Sequence, residues 1–173
     1  MAKKVLLVAL GSTARADCLA EAIEKSADSE LHSYMQSPNP SVIRRSKSHK
    51  LGRIDDFDSI RKFAKSLKPD LAIISPDYAI AIGVADILSE LEIPVIAPKK
   101  SLARLESSKA FTRSLMDKYK IDGSPEHKVF DSPEGLRDYM TDLKDFVVKP
   151  DGLTGGKGVK VFWEHMKTLD EAV

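Results

Sequence analysis

The sequence has one cysteine, Cys18, in 173 residues, so no intrachain disulfide can form. Its four histidines are too scattered to suggest a metal site by spacing. Neither charge is in excess: 27 Lys and Arg against 26 Asp and Glu leave a formal net charge of +1. That gives no bulk electrostatic reason to expect nucleic acid or an anionic membrane as partner, and any anion must be bound locally. No hydrophobic run is long enough to span a bilayer. The apolar VLLVAL that follows MAKK is short and lacks a small-residue cleavage site, so it reads as a buried first strand and not as an anchor or signal peptide. Internal repeats and low-complexity segments are absent. A reducing, cytoplasmic home fits this composition.

What the chain does have is alternation. Residues 3–10, apolar throughout from Val5 and ending at Gly11, read as a central parallel strand covered on both faces. RADCLAEAIEKS, residues 15–26, places Cys18, Leu19, Ala22 and Ile23 on one helical face, which reads Cys18 as core. A second strand is expected over 31–35, then an exposed loop, QSPNPSVIRRSKS, with Arg44, Arg45 and Lys47 solvated. Asp55 or Asp56 caps a helix to Leu67, and Pro69 precedes the strand DLAIIS, residues 70–75. Ile80, Val84, Ile87 and Leu88 mark a helix over 78–91, and IPVIAP, 93–98, a short strand. Strands and helices in this order predict an α/β fold: a Rossmann-like, mostly parallel sheet with helices on both faces, over residues 1–98.

From residue 99 the texture changes. Residues 99–120 read as a helical linker, with a Ser107-Ser108 cap before its second helix. Residues 121–173 read as the start of an α+β subdomain: a strand over 127–130, a helix opened by Ser132 and Pro133, the strand DFVVKP, a glycine loop, the strand GVKVFW holding Trp163, and a final helix over 165–173.

Three stretches can carry chemistry. KPDGLTGGKGV, 149–159, sets four glycines and two lysines between two strands. Glycines let backbone N–H groups approach a phosphate and lysines add point charge, so the loop reads as a flap over a triphosphate. It is not the phosphate loop G-x-x-x-x-G-K-[ST], because Gly152 to Gly156 is one residue short and Gly158 stands in the hydroxyl position. A hairpin turn with incidental lysines is the alternative. Next, Lys109 in SSKAF lies at the positive end of a capped helix, a position that a bound anion would relieve; a solvated surface lysine is the plain reading. The third stretch is VALGSTARADCLA. It lacks a G-x-G-x-x-G fingerprint, which makes dinucleotide binding improbable, but Gly11 frees a turn at the sheet edge and Arg15 can fork onto a phosphate or carboxylate, or else lie on the helix surface.

Together these stretches resemble the phosphoribosylamine–glycine ligase (glycinamide ribonucleotide synthetase) family of the ATP-grasp superfamily. FVVKPDGLTGGKGVKV is very similar to its strand, glycine loop and strand, and IAPKKSLARLESSKAFTRSLMDKY to the segment entering its ATP-grasp region. ISPDYAIAIGVAD resembles its Gly-Pro-Glu-x-Pro-Leu stretch, with Ser75 for the glycine and Asp77 for the glutamate. GSTARADCLAEAI resembles its Gly-Gly-Arg-Glu-His-Ala turn, keeping Gly11 and Arg15, and SPNPSV answers its Pro/Asn/Gly loop without the glycine. The resemblance makes 1–98 a pre-ATP-grasp domain and 121–173 the opening of an incomplete ATP-grasp small subdomain.

It also implies a reaction in which ATP phosphorylates the glycine carboxylate and the amine of 5-phosphoribosylamine attacks the glycyl phosphate. By the same resemblance Lys109, Lys149, Asp151, Gly152, Gly155, Gly156, Lys157 and Gly158 contact ATP, and Gly11, Arg15, Pro76 and Asp77 lie on the phosphoribosylamine side. Family members are more than twice as long. The expectation is therefore that Mg²⁺ ligands, the adenine strand and most of the glycine site come from a C-terminal part, that a complementing C-terminal chain restores activity, and that the second half exposes apolar surface. The catalytic set is incomplete and no metal site is expected here. Another ATP-grasp ligase, or a non-catalytic phosphosugar- or nucleotide-binding module, are the competing readings.

Overall fold

A computed structural model describes residues 2–172 and divides the chain into two compact units, 1–104 and 105–173. In the first unit the order is β1 (Lys3–Ala9), α1 (Ala14–Glu24), β2 (Ser29–Met35), α2 (Pro40–Arg45), β3 (Ser48–Leu51), α3 (Phe57–Leu67), β4 (Leu71–Ile74), α4 (Asp77–Ile82), α5 (Val84–Ser89) and β5 (Val95–Ile96). The five strands form one parallel sheet in the order β3-β2-β1-β4-β5. Successive side chains of a strand point to opposite faces, and β1 obeys this on both sides. Val5, Leu7 and Ala9 join Ala16, Ala20, Ile23, Leu31, Met35 and Val42 in one core. Leu6 and Val8 join Tyr34, Ile54, Ile60, Ala64, Leu67 and Leu88 in the other. A run that is apolar at every position is thus a strand covered twice, as its sequence predicts.

The predicted loop after β2 is instead structured. Asn39 accepts hydrogen bonds from the Ser41 and Val42 N–H groups, and Pro40 follows at the first helical position, where its missing N–H costs nothing. Val42 then anchors α2 in the core, and the chain continues as the edge strand β3. Arg45 is not solvated: its guanidinium meets Glu24 at 2.8 Å and Asp17 at 3.1 Å. On α1 the buried face is Ala16, Ala20 and Ile23, spaced four and three apart, so Cys18 and Ala22 point outward. Gly83, at φ +104°, splits the single helix expected over 78–91 into α4 and α5. Asp56 caps α3, as its position suggests.

The first unit continues past Pro98 to Arg104. There α6 (Lys100–Ser107) begins with the Lys100 N–H held by Asp86 at 2.8 Å. The second unit holds α7 (Lys109–Tyr119), α8 (Leu136–Thr141) and the antiparallel pair β6 (Val147–Val148) and β7 (Lys160–Val161). The strand expected over 127–130 and the helix expected over 165–172 do not form; both stretches are turns and irregular chain. Residue 173 lies outside the described residues. Trp163 does not pack within a strand: it sits at φ +71°, more than half exposed, with its ring against Phe162. Ile121, Val129, Val147 and Leu153 are exposed, α7 buries none of its residues, and Met140 and Met166 are the buried hydrophobics of this unit among the described residues.

Candidate functional site

In the first unit β1 lies centrally, with β2 and β3 on one side and β4 and β5 on the other. Chain order therefore reverses between β1 and β4. In open parallel sheets the loops leaving such a pair diverge and leave a crevice at the carboxyl ends of the strands, where ligands bind. The loop after β1 carries Gly11 and Arg15, and the loop after β4 carries Pro76 and Asp77, so the topology brings these four to one edge. Gly11 turns the chain at φ +92°, and a methyl group there would overlap the Ser37 carbonyl oxygen. Thr13 caps α1 by accepting from the Ala16 N–H, which sets Arg15 in the first turn. The Arg15 guanidinium donates to the Asp77 carboxylate at 3.1 Å. Both side chains are more than half exposed, at 59% and 53%, so the pair adds little stability and both ends stay open to a ligand. The Ser75–Pro76 bond is cis.

Asn39, which the resemblance places in the Pro/Asn/Gly loop but not among the site residues, belongs to this edge. Its amide nitrogen donates to the Gly11 carbonyl at 2.7 Å while its oxygen caps α2. The helix-cap signature Asn-Pro was the available signal; its tie to Gly11 could not be read across 28 residues.

In the second unit, Ser108 caps α7 by accepting from the Phe111 N–H at 3.1 Å. The anion at this helix end comes from the chain itself. One Asp151 oxygen accepts from the Lys109 N–H at 2.7 Å and the Ala110 N–H at 3.2 Å, and the other accepts from the Ser108 hydroxyl at 2.8 Å. Desolvation pushes the Asp151 carboxyl up, but the Ser108 hydroxyl and the Ala110, Gly152 and Lys109 amides outweigh it and hold the group below its usual range. The Lys109 ammonium donates to the Gly152 carbonyl at 2.7 Å. Beyond this junction the loop runs between β6 and β7, as the flap and the hairpin readings both require, with Gly152, Gly155, Gly156 and Gly158 all at positive φ. Among the described residues Lys149 and Lys157 make no side-chain hydrogen bond or ion pair, so their ammonium groups are available to an anion. An exposed hairpin with donor N–H groups and unpaired lysines fits a polyphosphate. No cluster of three or more His, Cys, Asp or Glu among the described residues could hold a metal ion. No helix among them is long and apolar enough to cross a membrane.

Residues 3–106 match the N domain of phosphoribosylglycinamide synthetase, and residues 107–173 match its ATP-grasp (A) domain. The chain is 44% identical to phosphoribosylamine–glycine ligase of Methanococcus vannielii and 41% identical to that of Methanocaldococcus jannaschii, over 98% of its own length and 39% of theirs. The crystal structure of phosphoribosylamine–glycine ligase from Thermotoga maritima superposes with a TM-score of 0.70 at 25% identity, over 98% of this chain and 38% of that one. N5-carboxyaminoimidazole ribonucleotide synthetase from the same organism reaches a TM-score of 0.70 at 15% identity, covering 99% of this chain and 43% of its own, a likeness of fold. The chain thus spans about two fifths of the length of the curated relatives it matches. By two matches that together cover residues 3–173, it belongs to the phosphoribosylglycinamide synthetase family.

Proposed function

We propose that this chain supplies the N-terminal domain and the glycine flap of an ATP-dependent ligase that joins glycine to 5-phosphoribosylamine. The observation that carries this is the convergence of Gly11, Arg15, Pro76 and Asp77 on the switch point between β1 and β4, in a chain whose family relatives bear that ligase's name. In this reading Arg15 meets the phosphate of the phosphoribosylamine and Asp77 holds Arg15 and a sugar hydroxyl, with Gly11 and Pro76 shaping the crevice. Arginine suits a phosphate because its planar fork donates two parallel hydrogen bonds.

On the second unit, Lys109, Lys149 and Lys157 and the N–H groups of Gly152, Gly155, Gly156 and Gly158 cradle the phosphates of ATP, with Asp151 at the base of the flap. Phosphoryl transfer rests on position and charge cancellation, which these groups provide. A glycine carboxylate oxygen bonds to the γ-phosphorus as the bond to ADP breaks. The phosphoribosylamine nitrogen then attacks the acyl carbon, phosphate leaves, and the amine loses a proton. Mg²⁺, when bound, would offset phosphate charge; in this reading its carboxylates and the adenine strand come from a complementing C-terminal part. The setting is cytoplasmic.

The test is ligase activity with Mg·ATP, glycine and freshly generated phosphoribosylamine, on this chain alone and with a matching C-terminal half. Activity in the mixture only is expected. No activity in either would favour a binding module over a ligase half, and turnover by this chain alone would refute the assignment of magnesium and adenine contacts to another part.

A further inference from the structure

We propose that Asp151 is a positioning residue, which latches the base of the glycine flap onto the first turn of α7 and so aims the Lys109 ammonium. This rests on reading the loop as a phosphate flap. Two consecutive residues of the flap grip the start of the helix: Asp151 takes the Ser108 hydroxyl and the Lys109 and Ala110 N–H groups, and Gly152 takes the Lys109 ammonium. Both oxygens of the Asp151 carboxylate are already accepting, so it has little left to offer a ligand. A carboxylate would also repel a phosphate. Its favourable place is where it lies, against the positive end of a helix. Gly152 has open space around its α-carbon and sits at φ +93°, so its value is conformational: it turns the carbonyl toward Lys109 one residue after the carboxylate meets the amides.

An ammonium has three N–H donors, and Gly152 uses one. Lys109 is thereby held by the flap's own backbone with donors to spare. A phosphate arriving under the flap would complete the lysine's hydrogen bonding without displacing Asp151 from α7. The lysine, the helix end and the flap base then move as one piece, and the distal glycines supply the mobility.

The experiment uses the 173-residue chain, isotope-labelled, as wild type, Asp151→Asn and Asp151→Ala. In Asp151→Ala the Lys109 and Ala110 amides should lose about tenfold or more of their exchange protection, in line with loss of a charged acceptor. The Lys109 side-chain nitrogen signal should move to the position of the exposed lysines. Asp151→Asn retains an acceptor oxygen and should restore the Lys109 signal. With a matching C-terminal half added, titration with Mg·ATP should then show about tenfold weaker binding for Asp151→Ala and near wild-type binding for Asp151→Asn. Unchanged exchange in Asp151→Ala overturns the latch. Lost amide protection with an unmoved Lys109 signal reduces Asp151 to a helix cap and overturns the positioning role. Should Asp151→Ala unfold the second unit, Lys109→Met decides: it removes only the bond to Gly152 and should speed exchange of the flap amides, and no change there refutes the proposal. Wild type that ignores Mg·ATP even with a matching C-terminal half added, while its amides and Lys109 behave as stated, would sink the phosphate reading and leave the latch standing.

Discussion

At the scale of single residues, two positions carry sharp expectations. Gly11 combines a left-handed backbone with contact against the Ser37 carbonyl. Gly11→Ala should therefore cost about 2 kcal/mol or more, from strain at positive φ together with displacement of the loop that carries Arg15. Chemical denaturation should show the loss, and an unchanged midpoint would mean that the turn has another solution. His32 is the second. Burial holds its imidazole below the ordinary value of 6.5, and the attraction of Glu30 does not offset this. Its Nδ1 meets the Ser48 hydroxyl at 2.8 Å, while Nε2 has no hydrogen-bond partner. A histidine that resists protonation when folded contributes stability above about pH 6.5 that is lost as pH falls through the range below. The melting temperature of wild type should drop as pH falls below about 6.5 more steeply than that of His32→Gln.

At the scale of elements, burial sets the hierarchy. Leu7 is fully buried in the core shared with α1 and α2, so Leu7→Ala should cost about 2–5 kcal/mol. Ile121, more than half exposed, should tolerate alanine within about 0.5 kcal/mol. Denaturation midpoints of the two variants test the contrast directly. The same contrast explains what could be read in advance. β1 was legible because burial on both faces makes every position from Val5 to Ala9 apolar, and α3 because a capping aspartate before it and Pro69 after it bracket the helix. Helix α2 was not, since Pro40 reads as a loop signal until Val42 is seen to reach the core. The face of α1 was misjudged because Cys18 and Ala22 are apolar enough to pass for core, while the small Ala16 and Ala20 are the ones that pack. At the site, Gly11, Arg15, Pro76 and Asp77 could be named, but the hydrogen bonds from Asn39 and to Asp151 join residues 28 and about 42 positions apart, beyond any local pattern.

At the scale of the whole molecule, the two units differ in how much they bury. Both core clusters lie within residues 1–104. The second unit keeps Ile121, Val129, Val147 and Trp163 at its surface. Local opening is easiest where few apolar groups are buried. Limited proteolysis should accordingly cut first within residues 121–172 and leave a resistant fragment close to residues 1–104. First cuts inside the sheet, or uniform resistance, would show that the second unit gains protection not visible in its own packing.

The parallel arrangement of the first unit also governs how it is made. β1 pairs with β4 over Val5 to Val8, and the hydrogen bond from the Lys4 N–H to Asp70 spans 66 residues. At the usual pace of about 5–20 residues per second, a ribosome needs roughly 3–13 s to deliver the later strand after the earlier one. Throughout that interval the nascent chain carries an apolar ribbon, Val5 to Ala9, with one edge still unpaired. A chaperone that shields such ribbons during translation would therefore have its main task at the first strand and be dispensable once β4 has emerged.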